Sequence, residues 1–321
     1  MRVHPAIAAL RSNRAPQRQA QAAVKQACDA WCGEPSVAQA LEEFQLFGSG
    51  ASLEACPTLD QIFTGQGRAE AMAQSLVRNL CAAMARLPFA HPPFRHGFDG
   101  RASTLLLAKS GRAQLLLQAR EPGQFDFPCA TFSDALRYDA TLAGEAQARI
   151  LRIHGARDLV RFAEEEVALR PGVRLGFDCT SETVLAHEVS KRLVTLRLLQ
   201  ASESPQPGRE YCLQTGKLLH QSAGSLATSR REMMVALLGR MERAEAAPVM
   251  AGMVRTESDE SLRWQCLREC LALDSEAGFA TLSAIAASEI DPLADPARAL
   301  RTQLIEDHPQ FLQMEASPCR G

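Results

Sequence analysis

Between residues 100 and 224, apolar and polar side chains alternate one for one in short runs, each closed by Gly, Pro, Asp or Ser. Successive side chains of a β-strand point to opposite faces, so this period of two marks strands with one face in a core. Ala113, Leu115, Leu117 and Ala119 fall on one face, with Arg112, Gln114, Gln118 and Arg120 on the other. Ala146, Ala148 and Ile150 alternate in the same way with Glu145, Gln147 and Arg149, and Val173, Leu175 and Phe177 with Arg174 and Asp178. Ser110-Gly111, Ser133-Asp134, Ala143-Gly144, Pro171-Gly172 and Thr215-Gly216 separate the runs and supply the positive or preset φ that tight connections need. The expectation is an antiparallel sandwich or barrel of about ten to twelve short strands, apolar face in and polar face out.

Helical periodicity flanks this body on both sides. Before it, residues 17–32 carry Ala20, Val24, Ala27 and Trp31 at helical spacing, with Gly33 as the stop. Residues 36–47 follow, with Ser36 as N-cap, Val37, Leu41, Phe44 and Leu46 inward, and Gly48-Ser49-Gly50 as the break. A third helix is expected over residues 68–87, its Met72, Leu76, Leu80 and Met84 forming one buried stripe. The fold class is therefore α+β. Residues 1–98 form an N-terminal helical section and linker, 99–226 a β-domain of sandwich, barrel or jelly-roll type, and 227–321 a helical-repeat domain.

After Gly224 the pattern predicts helices over 229–243, with Met233, Leu237 and Met241 inward, and over 246–255, with Val249, Met250 and Met253. Residues 259–273 and 276–287 repeat this pairing about thirty residues later, and a partial unit starts at Pro296 with Leu300, Leu304 and Ile305. This array, over residues 229–312, resembles HEAT-type helical hairpins, in which each hairpin buries its apolar face on a neighbour. The resemblance implies a protein-binding or scaffolding surface.

Residues 164–178, with a glutamate run, Pro171-Gly172 and the Val173 to Phe177 alternation, resemble the strand, turn and strand of cupin-type jelly rolls. Metal-dependent cupins carry a His-x-His pair, a following Glu and a later His. No His-x-His occurs in this chain, so the family's metal residues carry over to no position. The glutamate run itself, Glu164 to Glu166, reads as solvated charge at a strand start.

Residues 88–100 hold the densest mixture of His, Arg, Asp and aromatic side chains. His91, His96 and Asp99 there, with His154, His187 and His220 in the β-domain, are the candidates for acid–base or metal chemistry, because imidazole titrates near neutrality and binds transition metals. As catalytic groups the reading names His96, Asp99, His187 and His220; as metal ligands, His91, His96 and His154. The plainer alternative is a rigid packed linker and satisfied structural histidines. Gly65 and Gly67 could cradle a phosphate at a helix start, but the dinucleotide pattern is incomplete. Cys28 with Cys32, and Cys266 with Cys270, sit one helical turn apart, where buried packing competes with zinc ligation. The polar stretch 201–208 is a loop that could border a pocket.

The formal charge of −2 excludes a surface built throughout for nucleic acid or an anionic membrane. A local patch of Arg11, Arg14, Arg18 and Lys25 remains. No run approaches the roughly eighteen apolar residues of a membrane span. The first ten residues are broken by His4 and Pro5 and followed by polar residues, so no secretory signal is expected. Ten cysteines scattered through a chain of this size are expected to be free thiols in the cytoplasm. The cofactor is unassigned. The preferred function is a non-catalytic cytosolic adaptor holding a protein partner through its helical repeats; the alternative is a cupin-like enzyme or a protein binding a small molecule or metal in the β-domain.

Overall fold

The computed structural model describes residues 13–311 apart from 86, 88 and 258; the first ten residues and Arg11 lie outside the described residues. Contacts divide the described residues into two compact units, one running up to 205 with 209–220, the other comprising 206–208 and the residues from 221 onward.

Among the described residues, the first unit opens with four helices, α1 (Ala15–Cys32), α2 (Pro35–Ser49), α3 (Pro57–Thr64) and α4 (Arg68–Met84). Proline in the first turn starts three of them, its missing N–H costing nothing there. Eleven strands follow among the described residues: β1 (Arg95–Phe98), β2 (Ala102–Ser110), β3 (Ala113–Arg120), β4 (Gly123–Gln124), β5 (Cys129–Phe132), β6 (Ala135–Ala156), β7 (Leu159–Leu169), β8 (Arg174–Asp178), β9 (Glu182–Ala201), β10 (Gly208–Cys212) and β11 (Leu218–Ser222). Eight of them form one sheet along the path β1-β2-β3-β9-β6-β7, with β4 also on β9 and β8 also on β6, while β11-β10-β5 form a second sheet. The pairings described are antiparallel. The large sheet does not close on itself among the described residues.

The helices cover one face of that sheet. Val24, Trp31, Phe44, Phe47, Leu59, Phe63 and Leu76 share a core with Ala113 and Leu115 of β3, Ala140 of β6, and Leu196 and Leu198 of β9. Polar ties fix the docking. Gln200 donates to the carbonyls of Phe47 and Ala51. Arg174 reaches from β8 to both oxygens of Glu70 at 2.8 and 2.7 Å and to the Gly65 carbonyl, and Gln66 donates to the Gly172 carbonyl. The Gly65-Gln66-Gly67 segment thus holds the sheet. Arg174, read from the alternation as a solvent residue, has a side chain only 8% exposed because it answers the Glu70 charge.

Several expectations change here. Helix α2 does not break at Gly48. That glycine abuts the β2–β3 turn, where a Cβ would lie 2.2 Å from the Ser110 carbonyl oxygen, and the helix ends at Gly50 with φ +114°. Its N-cap is Glu34 rather than Ser36, and Leu46 is exposed while Phe47 takes the buried position. Helix α3 was not signalled, and Glu43 of α2 caps it by accepting from the Leu59 N–H at 2.9 Å. Strand structure already begins at Arg95, inside the stretch read as a linker. Nor are the strands uniformly short, since β6 and β9 run for 22 and 20 residues. The glutamate run lies within β7, where Glu164 and Glu165 pair with Arg149 and Arg152 of β6. Finally, β7 and β8 do not pair with each other; both lie along β6, end to end.

The long strands change register near Ala143, Glu145 and Gln147. The extra residue moves the inward face from Asp139 and Thr141 to Ala146 and Ala148, so that both halves of β6 face one interior. Gly144 allows this. Its φ is +89°, and a Cβ there would meet the Arg192 carbonyl oxygen at 2.1 Å.

The second unit contains α5 (Leu226–Arg240), a 3₁₀ turn (Ala244–Ala246), α6 (Ala247–Thr256), α7 (Glu260–Leu273), α8 (Ser275–Ala286) and α9 (Ala294–Asp307). Ser225, Asp259 and Asp274 cap α5, α7 and α8 by accepting backbone N–H bonds. Its core is built on Val235, Met250, Val254, Leu262, Leu267, Phe279 and Leu282, with Cys266 and Cys270 buried among them. The expected inward face of the first helix is wrong, because Met233, Leu237 and Met241 are exposed, as is Val249 of α6. Helix α5 carries apolar residues around its whole girth, so periodicity could not choose a side; Val235 and Leu238 face the core instead. Nor do the first two helices form the expected hairpin. Helix α5 packs on α7, and α6 packs on α7 and α8.

The prediction from this architecture is that Gly144→Ala lowers stability by about 2–4 kcal/mol, from left-handed backbone strain plus a backbone clash. Denaturant midpoints check it, with a shift below ~0.5 kcal/mol counting against the bulge.

Candidate functional site

On β3, β6 and β9, several of the residues that alternate with the helix-facing ones are polar, and they turn into an interior cavity. Gln118 and Arg120, Arg137, Asp139 and Thr141, and Thr195 and Arg197 line a cavity of about 190 Å³. Asp99 adds a second carboxylate to the lining, and Phe127, Leu169, Leu175, Val184, Leu185, Ala186 and Leu193 are its apolar members. Strand register brings these groups together. Asp139 stands opposite Arg197, Thr141 opposite Thr195, and Thr195 opposite Gln118.

Asp139 is the buried centre of the cluster. Arg137 donates to both of its oxygens through Nε at 3.1 and 3.0 Å and also through Nη2, and Arg197 donates to them through Nε at 2.8 Å and Nη2 at 3.0 Å. Its side chain is 7% exposed, and those of Arg137 and Arg197 are 12% and 18%. Burial alone would raise the Asp139 carboxyl, but the two guanidinium charges and their hydrogen bonds outweigh it and hold the group well below the ordinary carboxylate value. Burial pushes the Arg197 guanidinium down, helped by the charge of Arg137 and opposed by Asp139.

Asp99 marks the exposed end of the cavity. Its Oδ1 accepts from the backbone N–H groups of Arg101 and Ala102 at 2.8 and 2.7 Å. Burial raises this carboxyl, and the two backbone bonds with the Arg120 charge bring it below its usual value. Arg120 donates Nη1 to the Ala186 carbonyl at 3.2 Å and lies over the Phe125 ring at 5.3 Å. Burial lowers it, Asp99 opposes that, and Arg197, Arg101 and Arg137 add to it. Three guanidiniums thus meet two carboxylates. The balance is one positive charge, which suits an anion and does not suit a divalent cation.

Of the candidate catalytic and metal residues named from sequence, Asp99 alone lines this cavity. His96 is exposed on β1 at the sheet edge, and His91 is exposed with Nδ1 3.3 Å from the Pro92 carbonyl. His154 is exposed near the end of β6, and His220 is exposed on β11. His187 of β9 is half-buried, with Nε2 4.0 Å from Glu166 and Nδ1 buried without a partner. The structure does not gather the histidines, and no group of three or more His, Cys, Asp or Glu side chains suited to a metal exists among the described residues. Arg14, just before α1, and Arg18 on it are exposed, and Lys25 pairs with Asp29 at 2.5 Å. No described helix is long and apolar enough to cross a membrane.

No family model matches the chain, and no curated protein matches it. Among solved structures it is similar to the cupin domain of Drosophila melanogaster CENP-C, at 13% identity and a TM-score of 0.27, over 34% of this chain and 76% of that one. It is similar to a cupin superfamily protein of Desulfitobacterium hafniense at 18% identity and a TM-score of 0.24, over 33% and 83%. Ectoine synthase from P. lautus aligns at 14% identity and a TM-score of 0.24, over 33% and 67%.

Sequence reasoning missed Arg120, Arg137, Asp139 and Arg197. The available signal was Arg-x-Asp at 137–139 and Thr-x-Arg at 195–197, both in phase with the strands. Assigning the polar face to solvent hid it.

Removing the Asp139 charge leaves two buried guanidiniums without their counter-ion, so Asp139→Asn is expected to cost about 3–5 kcal/mol. The pH dependence has a definite sign. Because the folded carboxyl sits below its unfolded value of about 3.9, its stabilisation is complete above that pH and is lost as pH falls through the folded value. Urea midpoints between about pH 5 and pH 2 should fall steeply for the natural chain and more gently for Asp139→Asn. Parallel slopes would contradict the assignment.

Proposed function

We propose that the first unit binds a small organic anion, a carboxylic acid with a short apolar body, in the cavity between β3, β6 and β9. One observation carries the reading: the lining sets Arg120, Arg137 and Arg197 against Asp99 and Asp139, leaving one positive charge in excess. Asp139 engages two of the guanidiniums. Arg120 donates to the Ala186 carbonyl, and the rest of its planar fork is available for bidentate recognition of a carboxylate. The Thr141 and Thr195 hydroxyls and the Gln118 amide add neutral polar groups, and the leucines and Val184 receive the apolar body. The volume of about 190 Å³ suits a ligand somewhat larger than the benzene that fills a cavity of roughly 150 Å³.

Binding is favoured over proton-transfer catalysis. General acid–base work needs a group titrating near the working pH, whereas Asp99 and Asp139 are held ionised and the lining contains no histidine. We read the β-region as a cupin-type jelly roll, supported by the two long strands that change register midway and by β7, Pro171-Gly172 and β8 along one edge of β6. The C-terminal helices are read as a short HEAT-type array, supported by α6, α7, α8 and α9 packing in succession. A cytoplasmic location remains our reading of the composition.

A second reading, an adaptor whose helical unit holds a protein partner, is favoured by Leu226, Met233, Met234, Leu237 and Met241, which are exposed on or beside α5. Nothing on the molecule identifies what would cover them, so the cavity carries the conclusion.

Calorimetry with a panel of short aliphatic and aromatic carboxylic acids, their amides and small amines tests the cavity. At least one acid is expected to bind while its amide does not, and Arg120→Gln should weaken it about 10- to 100-fold, as for a lost hydrogen bond to a charged group. Binding of amines in preference to acids, no binding by any of the panel, or no effect of Arg120→Gln would overturn the reading.

A further inference from the structure

The small sheet carries a pair of thiols unrelated to the cavity. Strands β5 and β10 pair antiparallel, with Cys212 directly opposite Cys129. The Leu213 N–H donates to the Pro128 carbonyl at 3.0 Å, one residue beyond each cysteine. That bond defines Cys129 and Cys212 as a non-hydrogen-bonded pair, the kind whose Cα atoms lie about 4.5 Å apart with side chains on the same face. Disulfides span Cα separations of roughly 4.4–6.8 Å, so the backbone already stands at bridging distance. The intervening Tyr211 and Ala130 point the other way, into a core with Phe132 and Leu151. Both cysteines are half-buried free thiols.

The two thiols differ in a way that suits sequential chemistry. The Cys129 thiol donates to Glu210 Oε1 at 2.5 Å. Burial, that bond and the carboxylate charge push it up to about 11. Cys212 is shifted down, because the Thr215 hydroxyl and the backbone N–H groups of Thr215 and Gln214 hydrogen-bond its sulfur. Glu210 shares the outer face of β10 with Cys212, two residues away, and stands beside the Cys129 sulfur.

We propose that Cys129 and Cys212 form a reversible disulfide by exchange with a low-molecular-weight disulfide of the glutathione class. The Cys212 thiolate attacks one sulfur of the small disulfide, whose S–S bond breaks, and the departing thiolate takes up the proton that Cys212 gave to solvent. The Cys129 thiol passes its proton to Glu210, and its sulfur attacks the Cys212 sulfur of the mixed disulfide. The second small thiolate leaves and receives the proton from Glu210. Two protein thiols are oxidised and one small disulfide is reduced to two thiols. The bridge ties β5 to β10 and closes the small sheet covalently between points that enclose β6, β7, β8 and β9 in sequence.

The test uses the reduced full-length chain, incubated with oxidised glutathione under native conditions, quenched in acid, alkylated and mapped by mass spectrometry. Expected is a peptide linking Cys129 to Cys212, lost on adding dithiothreitol. Cys129→Ser should accumulate a glutathione adduct on Cys212, and Cys212→Ser should leave Cys129 open to alkylation. Glu210→Gln should slow closure of the mixed disulfide without blocking its formation. Alkylation of both cysteines in the natural chain, a bridge from Cys212 to another cysteine, or an adduct on Cys129 rather than Cys212 would overturn the proposal. Far-ultraviolet circular dichroism checks that each variant is folded; if one is not, the peptide map of the natural chain decides.

Discussion

The Asp139 carboxylate, clamped between Arg137 and Arg197, is the constraint on which the rest of the first unit depends. Charges this deeply buried persist only when paired and hydrogen-bonded. The pair therefore sets the register of β6 on β9, with Asp139 opposite Arg197. A strand's side chains alternate, so that register also sends Ala140, Leu196 and Leu198 to the other face, where the helices wait. A slip by one residue would bring Arg197 into the helix-facing core and the leucines into the cavity. Polar centre and apolar core are thus two sides of one pairing.

What makes the polar side an interior is the path of the long strands. Where Gly144 adopts a positive φ against Arg192, the bulge shifts the phase of β6, and Ala146 and Ala148 join Leu169 and Leu193 on the cavity side. The cavity accordingly has a charged region around Asp139 and an apolar region around these residues. Such a division would suit the amphipathic ligand proposed for it. The helices contribute from the opposite face, where Phe47, Gln200 and Arg174 fix them to the strands.

Much of the framework was legible in the residues because local rules agree with the outcome. The alternation of Ala113, Leu115 and Leu117 marks a strand, and Gly33 and Gly50 lie at helix ends. The second face of the sheet was not legible. Period two states that two faces differ, and nothing in it says whether the polar face meets water or another part of the same sheet. Arg120 therefore looked like a solvent residue, and Arg137 and Arg197 carried no mark of a site. The histidines drew attention by residue type alone, and the structure distributes them over separate elements. On α5, apolar side chains run without a break from Met233 through Ala236 to Leu238 and so occupy all sides, and the position of α7 decides which are buried.

The most direct measurement is a double-mutant cycle between Asp139 and Arg197, using Asp139→Asn, Arg197→Met and both together, with stability from urea unfolding near neutral pH. The double variant is expected to be more stable than the sum of the single losses implies, with a coupling of roughly 1.5–3 kcal/mol, as for contacting buried charges. A coupling within about 0.5 kcal/mol of zero would mean that the two residues act independently. In that case the buried charge pair does not set the strand register, and the charged cavity built on it is not the organising centre of the fold.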